Sequence, residues 1–267
     1  MKVRVNGVDI AYDDRGMGQP IIFLHAFPLN RGMWRDQIVA LLSDQRYRLV
    51  ALDWRGFGES EISNEVSTME MFADDVAGLM DALGMEQAII CGLSMGGYAA
   101  FAFLRKYSHR VRGLILADTR PGADNDEGKA NRERIARLAE SRGSGAITDA
   151  LMPALIADAT RQNRPELEAG IRRMIDAATS RGIAAAARGM ALRADATDLL
   201  ASITCPTLVL VGEHDALTPP AVAQSYAAGI PGARLSVIAR AGHLVNLEQP
   251  EAFLAATRDF LQTSFEF

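Results

Sequence analysis

The residues best suited to chemistry lie in one short stretch, Gly92-Leu93-Ser94-Met95-Gly96. Three apolar residues lead into it as a strand would, and an alanine- and phenylalanine-rich sequence follows it as a helix would. This is the G-x-S-x-G pattern of a strand, a sharp turn and a helix, in which the glycines let backbone approach backbone. The pattern predicts Ser94 as a nucleophile and the N–H of Met95 as an oxyanion donor. The alternative is a glycine-rich turn with an incidental serine.

With its flanking strand and helix, this stretch resembles the nucleophile elbow of the α/β-hydrolase superfamily. The resemblance covers nearly the whole chain and is weakest at about 124–196. It implies an α/β fold with a mostly parallel eight-stranded sheet flanked by helices and a helical cap insertion. Apolar runs that alternate with helical segments indicate the same class of sheet. We expect residues 1–123 and 197–267 to form the core and residues 124–196 to form the inserted cap.

A serine hydroxyl needs a base to take its proton, and histidine titrates near working pH. The chain has four histidines. His25 follows a predicted strand, His109 lies in a polar turn, and His214 adjoins Asp215. His243, which follows the last predicted strand in Gly242-His243, matches the G-H motif of the superfamily. The resemblance therefore assigns the base to His243, although a loop histidine with a purely structural role is the alternative.

A third residue, a carboxylate, would hold the imidazole in place. Asp215 ends the sequence Gly212-Glu213-His214-Asp215 and matches the acid of the superfamily after the penultimate strand. The chain order Ser94, Asp215, His243 is the superfamily order. Asp118, at the end of an earlier predicted strand, is the alternative acid, because some family members carry the acid there.

The sequence His25-Ala26-Phe27-Pro28 resembles the H-G-x-P loop of the family, with Ala26 where glycine is usual. By this resemblance, the backbone N–H of Phe27 is the second oxyanion donor. His25 is expected to hold the loop by hydrogen bonds. The segment from Asp53 to Ser60 matches the D-x-R-G-x-G-x-S loop of the family, for which we expect a structural role.

The expected substrate pocket is mainly apolar. Its candidate wall residues are Trp34, Leu93, Leu151, Met152 and Leu155. The predicted cap is also rich in arginine, and one arginine that points inward would suit an acidic substrate. The cap arginines include Arg132, Arg134, Arg137, Arg161, Arg164, Arg172, Arg173, Arg181, Arg188 and Arg193.

The motifs resemble those of small carboxylesterases and 3-oxoadipate enol-lactonases, which implies hydrolysis of a carboxylic ester or lactone without a metal or organic cofactor. Cofactor-free haloperoxidases (perhydrolases) and carbon–carbon bond hydrolases carry similar elbows and stay open as alternatives. Because some proteins of this fold act as small-molecule receptors, a receptor is a further alternative.

Composition agrees with an enzyme that acts on a small molecule. The formal net charge of -5 argues against a nucleic-acid partner. No segment is long and apolar enough to span a membrane, and the first twenty residues lack the apolar run of a secretory signal. Two cysteines, Cys91 and Cys205, are too few for a disulfide framework. We therefore expect a cytoplasmic protein, with a homo-oligomer as one possibility.

Overall fold

An eight-stranded sheet forms the centre of the molecule, and the computed structural model describes residues 1–63 and 66–265 of the chain. The strand order is β1-β2-β4-β3-β5-β6-β7-β8. The strands are β1 (Lys2–Val5), β2 (Val8–Gly16), β3 (Gln19–Leu24), β4 (Tyr47–Leu52), β5 (Ala88–Leu93), β6 (Val111–Ala117), β7 (Thr207–Gly212) and β8 (Arg234–Ile238). Strands β3 to β8 are parallel, whereas β2 pairs antiparallel with both β1 and β4. The predicted α/β fold is confirmed.

Ten α-helices complete the described fold. They are α1 (Arg35–Leu42), α2 (Met69–Ala82), α3 (Met95–Tyr107), α4 (Asp126–Leu155), α5 (Asp158–Asn163), α6 (Pro165–Asp176), α7 (Ser180–Ala191), α8 (Pro220–Ala228), α9 (Val245–Glu248) and α10 (Pro250–Ser264). Short 3₁₀ turns lie at Arg31–Trp34, Ser108–Arg110 and Thr197–Ser202. Among the described residues, no helix is both long and apolar enough to cross a membrane.

The chain opens with a hairpin that turns at Asn6-Gly7, a dipeptide typical of tight hairpin turns. Asn6 and Gly7 both have positive φ, 46° and 80°, and β1 and β2 pair on either side of them. The second strand continues beyond Tyr12 to Gly16, although residues 13–16 are polar or glycine. This extension pairs with β4, and Arg48 of β4 forms an ion pair with Asp14. Pairing with a distant strand thus overrides a polar, glycine-containing local sequence.

Four helices, α4 to α7, lie between β6 and β7, in the segment expected to be helical. The long helix α4 is broken at Gly143, whose φ of 80° and ψ of 179° are not helical. Helices α4 and α7 pack closely, and Arg188 of α7 forms ion pairs with Glu133 and Glu140 of α4. Strands β3 to β7 are largely buried on both faces, as expected for a parallel sheet covered by helices, whereas the edge strand β8 is mostly exposed.

The two cysteines, Cys91 and Cys205, are free thiols. Cys91 is fully buried inside β5, and burial raises the pKa of its thiol. Cys205 is only half-buried and precedes β7 by two residues.

Candidate active site

Ser94 stands at the turn between β5 and α3 with a strained backbone, φ 56° and ψ -113°. The neighbouring glycines make this turn possible. A Cβ added to Gly92 would lie 2.4 Å from the carbonyl oxygen of Gly96, and one added to Gly96 would lie 2.1 Å from that of Leu24. Backbone strain of this kind persists where the surrounding structure holds it, and it is common at functional sites.

Three side chains form a continuous hydrogen-bonded chain at the carboxyl ends of the parallel strands. Nε2 of His243 lies 2.8 Å from Oγ of Ser94, and Nδ1 of His243 lies 2.9 Å from Oδ2 of Asp215. All three residues are nearly buried, with exposures of 9% for Ser94, 2% for His243 and 3% for Asp215. This is the geometry in which a base can take the serine proton while a carboxylate orients the base.

Asp215 is held as a charged group by its surroundings. Its Oδ1 accepts the N–H groups of Leu217 and Thr218 at 2.8 and 3.0 Å, and its Oδ2 accepts the Thr218 hydroxyl at 2.5 Å. Burial pushes the pKa of Asp215 up, but the charge and hydrogen bond of His243, together with Thr218, outweigh burial and lower it. An ionised Asp215 stabilises a cationic imidazole.

The alternative acid, Asp118, has other partners. It follows β6 with a φ of 43°, and its two oxygens accept the backbone N–H groups of Gly212 (2.8 Å) and Val245 (3.2 Å). Burial and the nearby Asp215 raise the pKa of Asp118 well above its ordinary value. Within the described residues, no hydrogen bond joins Asp118 to the His243 ring, so its contacts brace the ends of β7 and α9.

The two expected oxyanion donors flank the same site. Met95 is the first residue of α3, directly after Ser94, and Phe27 lies in the loop after β3, where its side chain lines the cavity with Ser94. In the described part of the chain, neither backbone N–H donates to a protein acceptor. Two unpaired N–H groups beside a serine are available to bind a developing negative charge.

His25 carries out a structural task in that loop. Its Nδ1 lies 2.9 Å from the carbonyl oxygen of Ala26, and its Nε2 accepts the N–H of Trp54 at 3.0 Å. Burial lowers the pKa of His25 to about 4, so the ring is neutral at neutral pH. The other two histidines, His109 and His214, are exposed.

Glu248 connects three parts of the site. Its Oε1 accepts the N–H of Gly242 at 2.8 Å, immediately before His243. Its Oε2 accepts the N–H of Ala157 at 2.9 Å and the hydroxyl of Thr160 at 2.7 Å, both between β6 and β7. The carboxylate is buried, and burial raises its pKa. It therefore ties the His243 loop to the helical insertion.

A cavity of ≈190 Å³ opens at Ser94 and His243. Of the predicted wall residues, Leu151 and Leu155 line it. Trp34, Leu93 and Met152 are buried and do not line it. Trp34 instead packs in the core against Phe23 and Phe253, with ring centroids 5.3 and 6.0 Å away.

Several wall residues were not expected from the sequence. The apolar ones are Tyr98, Ile135, Met190 and Leu217, and the polar and charged ones include Arg120, Asp124 and Asn131. Leu217 follows Asp215 by two residues, so its position beside the site could have been inferred from the sequence. Arg132, one of the cap arginines, also lines the cavity. Among the described residues, no three His, Cys, Asp or Glu side chains converge as metal ligands.

A family model described as the alpha/beta hydrolase fold matches residues 19–250. The chain belongs to this family. Its fold is similar to a structure of a thermophilic esterase from Thermogutta terrifontis with malate bound, at a TM-score of 0.96 and 44% identity over the full length of both chains.

Curated relatives of the α/β hydrolase carry the names of more than one activity. A 3-oxoadipate enol-lactonase from Acinetobacter baylyi is 29% identical over 263 residues, which cover 98% of this chain and 93% of the relative. A putative non-heme chloroperoxidase from Synechocystis sp. is also 29% identical, over 96% of this chain and 95% of the relative. These comparisons establish a hydrolase-fold protein similar to an esterase and a lactonase.

Proposed function

We propose that the protein is a serine hydrolase that cleaves a carboxylic ester or lactone through an acyl-enzyme on Ser94. The observation that carries the proposal is the unbroken hydrogen-bonded chain from Ser94 through His243 to Asp215, which opens into the cavity. Because Ser94 has a base within hydrogen-bonding distance, its hydroxyl can lose a proton as it attacks a carbonyl carbon.

In the acylation step, Oγ of Ser94 attacks the carbonyl carbon and Nε2 of His243 takes the proton. Asp215 stabilises the imidazolium, and the N–H groups of Phe27 and Met95 stabilise the oxyanion, each by about 3 kcal/mol. His243 then returns its proton to the departing alkoxide. In a lactone, that alkoxide remains attached to the acyl group.

Deacylation follows the same path with water as the nucleophile. His243 takes a proton from water, the hydroxide attacks the acyl carbon, and Ser94 leaves with the proton from His243. The second half of the reaction needs no further group from the protein. The products are a carboxylic acid and an alcohol, or one hydroxy acid when the substrate is a lactone.

We further propose that residues 124–196 act as the cap over this site. Ile135, Leu151 and Leu155 of α4 and Met190 of α7 contribute the apolar part of the cavity wall. Apolar side chains above a nucleophile exclude bulk water and accommodate an acyl chain or an alcohol group. The esterase and lactonase names of similar proteins support the same substrate class.

The second candidate is a cofactor-free haloperoxidase, also called a perhydrolase. The chloroperoxidase name of one relative favours it. Such a reaction would use the same acyl-enzyme, with hydrogen peroxide in place of water. A carbon–carbon bond hydrolase or a receptor that turns over its ligand slowly would use the same cavity. Turnover of simple esters separates a hydrolase from a slow receptor, and the partition of the acyl-enzyme between water and added hydrogen peroxide tests the perhydrolase.

The test is steady-state hydrolysis of p-nitrophenyl esters of increasing acyl length by the wild type, Ser94→Ala and Ser108→Ala. Ser108, an exposed serine at the far end of α3, is the matched control. We expect Ser94→Ala to lower kcat by a factor on the order of 10⁴ or more and Ser108→Ala to have little effect. Hydrolysis by Ser94→Ala near the wild-type rate would refute the proposal.

A further inference from the structure

The cavity wall beside Ser94 carries more positive than negative charge. Arg120, which follows β6 closely, and Arg132, on α4, both line the cavity together with Ser94 and His243. The aspartate that joins them, Asp124, is the only acidic residue lining this cavity in the described part of the chain. Two guanidinium groups and one carboxylate leave an excess of positive charge next to the nucleophile.

A third arginine, Arg193, already pairs with that aspartate. Its Nη2 donates to Oδ1 of Asp124 and to the carbonyl oxygen of Gly122, both at 2.9 Å, and its Nη1 donates to the carbonyl oxygen of Met190 at 3.0 Å. The guanidinium lies 4.1 Å from the centre of the Tyr98 ring and is almost fully buried. Arg193 therefore serves as a structural clamp and does not line the cavity.

Arg120 and Arg132 use little of their hydrogen-bonding capacity. Arg132 bonds Asp124 Oδ2 through Nε alone, at 3.0 Å, and Arg120 bonds Asp124 Oδ1 through one Nη2, at 2.6 Å. Within residues 1–63 and 66–265, neither terminal nitrogen of Arg132 has an acceptor, and the buried Nε of Arg120 also has none. A guanidinium with two free N–H groups is suited to bidentate binding of a carboxylate.

Asp124 holds the two arginines in place without cancelling their charge. Burial alone would raise the pKa of Asp124, but Arg193 and Arg132 outweigh burial and hold it well below its ordinary range. The carboxylate is therefore ionised at neutral pH, and its charge balances that of Arg193. Arg120 and Arg132, whose side chains are 35% and 19% exposed, then leave a net positive charge at the edge of the cavity, which favours a ligand of opposite charge.

We propose that the substrate carries a free carboxylate in addition to its scissile ester or lactone bond, and that Arg132 and Arg120 bind this carboxylate. The inference rests on the proposed function and narrows it to half-esters of dicarboxylic acids or lactones with a carboxylate substituent. The apolar wall formed by Ile135, Leu151 and Leu155 would contact the carbon chain between the two groups.

The first test compares two esters whose acyl groups have the same number of carbons and differ at the far end, the mono-p-nitrophenyl ester of adipic acid and p-nitrophenyl hexanoate. The quantity measured is the ratio of their kcat/KM values in the wild type, Arg132→Gln, Arg120→Gln and Arg137→Gln. Arg137 is the matched control, because it lies on the same helix with a side chain that is 76% exposed and is paired with Glu133.

We expect the wild type to prefer the acidic ester, and the acidic-to-neutral ratio to fall on the order of 10- to 100-fold in Arg132→Gln and Arg120→Gln. Arg137→Gln should keep the wild-type ratio. Added salt should lower the ratio in the wild type, because ions screen the attraction. A wild type that prefers the neutral ester, or a ratio unchanged in both cavity variants, would overturn the proposal.

A second test does not depend on turnover. Calorimetry measures the binding of monomethyl adipate and methyl hexanoate to Ser94→Ala, with and without Arg132→Gln. We expect monomethyl adipate to bind more tightly, and Arg132→Gln to weaken its binding by about tenfold or more. Arginine-dependent binding without ester hydrolysis in the wild type would refute the hydrolase and keep the carboxylate site. Hydrolysis of neutral esters with no arginine-dependent binding would keep the hydrolase and refute the carboxylate site.

Discussion

Trp54 donates two hydrogen bonds to His25: its backbone N–H to Nε2 and its indole N–H to the carbonyl oxygen, both at 3.0 Å. Because Nδ1 of His25 lies 2.9 Å from the carbonyl oxygen of Ala26, the proton of the neutral ring belongs on Nδ1 and Nε2 is the acceptor. This double contact joins the loop that carries Phe27 to the loop after β4. Protonation of His25 at Nε2 would remove the acceptor of the Trp54 backbone N–H and break that hydrogen bond.

The folding stability should therefore depend on pH through His25. Burial lowers the pKa of His25 in the folded state to about 4. In the unfolded chain the pKa is about 6.5, so between these values the unfolded chain binds more protons. The contribution of the neutral ring, about 3 kcal/mol, is complete above about pH 6.5 and is lost as the pH falls to about 4.

The measurement is urea unfolding at several pH values from 4 to 7 in the wild type, His25→Asn and His109→Asn. We expect the difference in unfolding free energy between the wild type and His25→Asn to shrink as the pH falls. His109→Asn, a change at an exposed histidine, should follow the wild type. Parallel pH dependence in the wild type and His25→Asn would contradict this account.

Substitution of the buried Glu248 should lower stability. Its carboxylate accepts three hydrogen bonds, from Gly242, Ala157 and Thr160. Glu248→Gln has nearly the same shape but replaces one accepting oxygen with an NH₂ group, which leaves at least one buried N–H without an acceptor. We expect the unfolding free energy to fall by about 1–3 kcal/mol.

Activity should decline as well, because Gly242 directly precedes His243 and its hydrogen bond fixes that loop. Glu251→Gln, an exposed change at the start of α10, serves as the control and should shift stability by no more than about 0.5 kcal/mol. Denaturant unfolding and kcat are measured on the same preparations. Equal stability of Glu248→Gln and Glu251→Gln would show that the three contacts contribute nothing.

Substitutions of Asp215 and Asp118 should have different effects. Asp215→Asn removes the carboxylate that faces Nδ1 of His243 and should lower kcat by roughly 10³- to 10⁴-fold while binding changes little. Asp118→Asn should affect stability more than kcat, because its oxygens accept backbone N–H groups. Steady-state kinetics and unfolding on both variants decide the assignment. A greater loss of kcat in Asp118→Asn would transfer the role of acid to Asp118.

The elbow glycines should tolerate no side chain. In Gly96→Ala, the new Cβ would meet the carbonyl oxygen of Leu24, which belongs to β3 and cannot move independently. We expect a loss of stability of about 3 kcal/mol or more. Gly145→Ala, at an exposed position of α4 with nothing near its Cβ, should stabilise the protein by about 0.5–1 kcal/mol. Thermal unfolding of both variants tests the contrast, which similar melting temperatures would refute.

Local patterns made much of this molecule predictable. The turn at Ser94 depends on Gly92 and Gly96, which lie within two residues of it, so the local sequence is enough to predict this turn. The apolar runs of the parallel strands are equally local, and the predicted sheet is confirmed. The triad residues were expected from motifs at the ends of separate strands, and the structure brings their side chains within hydrogen-bonding distance.

Features that depend on distant residues could not be read from the sequence. Arg193 and Asp124 are 69 positions apart, and no periodicity links them. Trp34 shows a second limit, because helical spacing identifies a buried side chain without saying whether it faces the core or a cavity. The end of β2 at Gly16 likewise depends on its pairing with β4. Tertiary contacts decide each of these cases.

Labelling with a p-nitrophenyl alkylphosphonate tests the central claim most directly, because the reagent mimics an ester and forms a stable adduct with an activated serine. We expect release of one p-nitrophenolate per chain and a loss of esterase activity in proportion to the labelling. Peptide mass spectrometry should locate the adduct at Ser94. His243→Ala should react far more slowly. An adduct at another residue, or esterase activity that persists in the fully labelled protein, would contradict the assignment of Ser94 as the nucleophile.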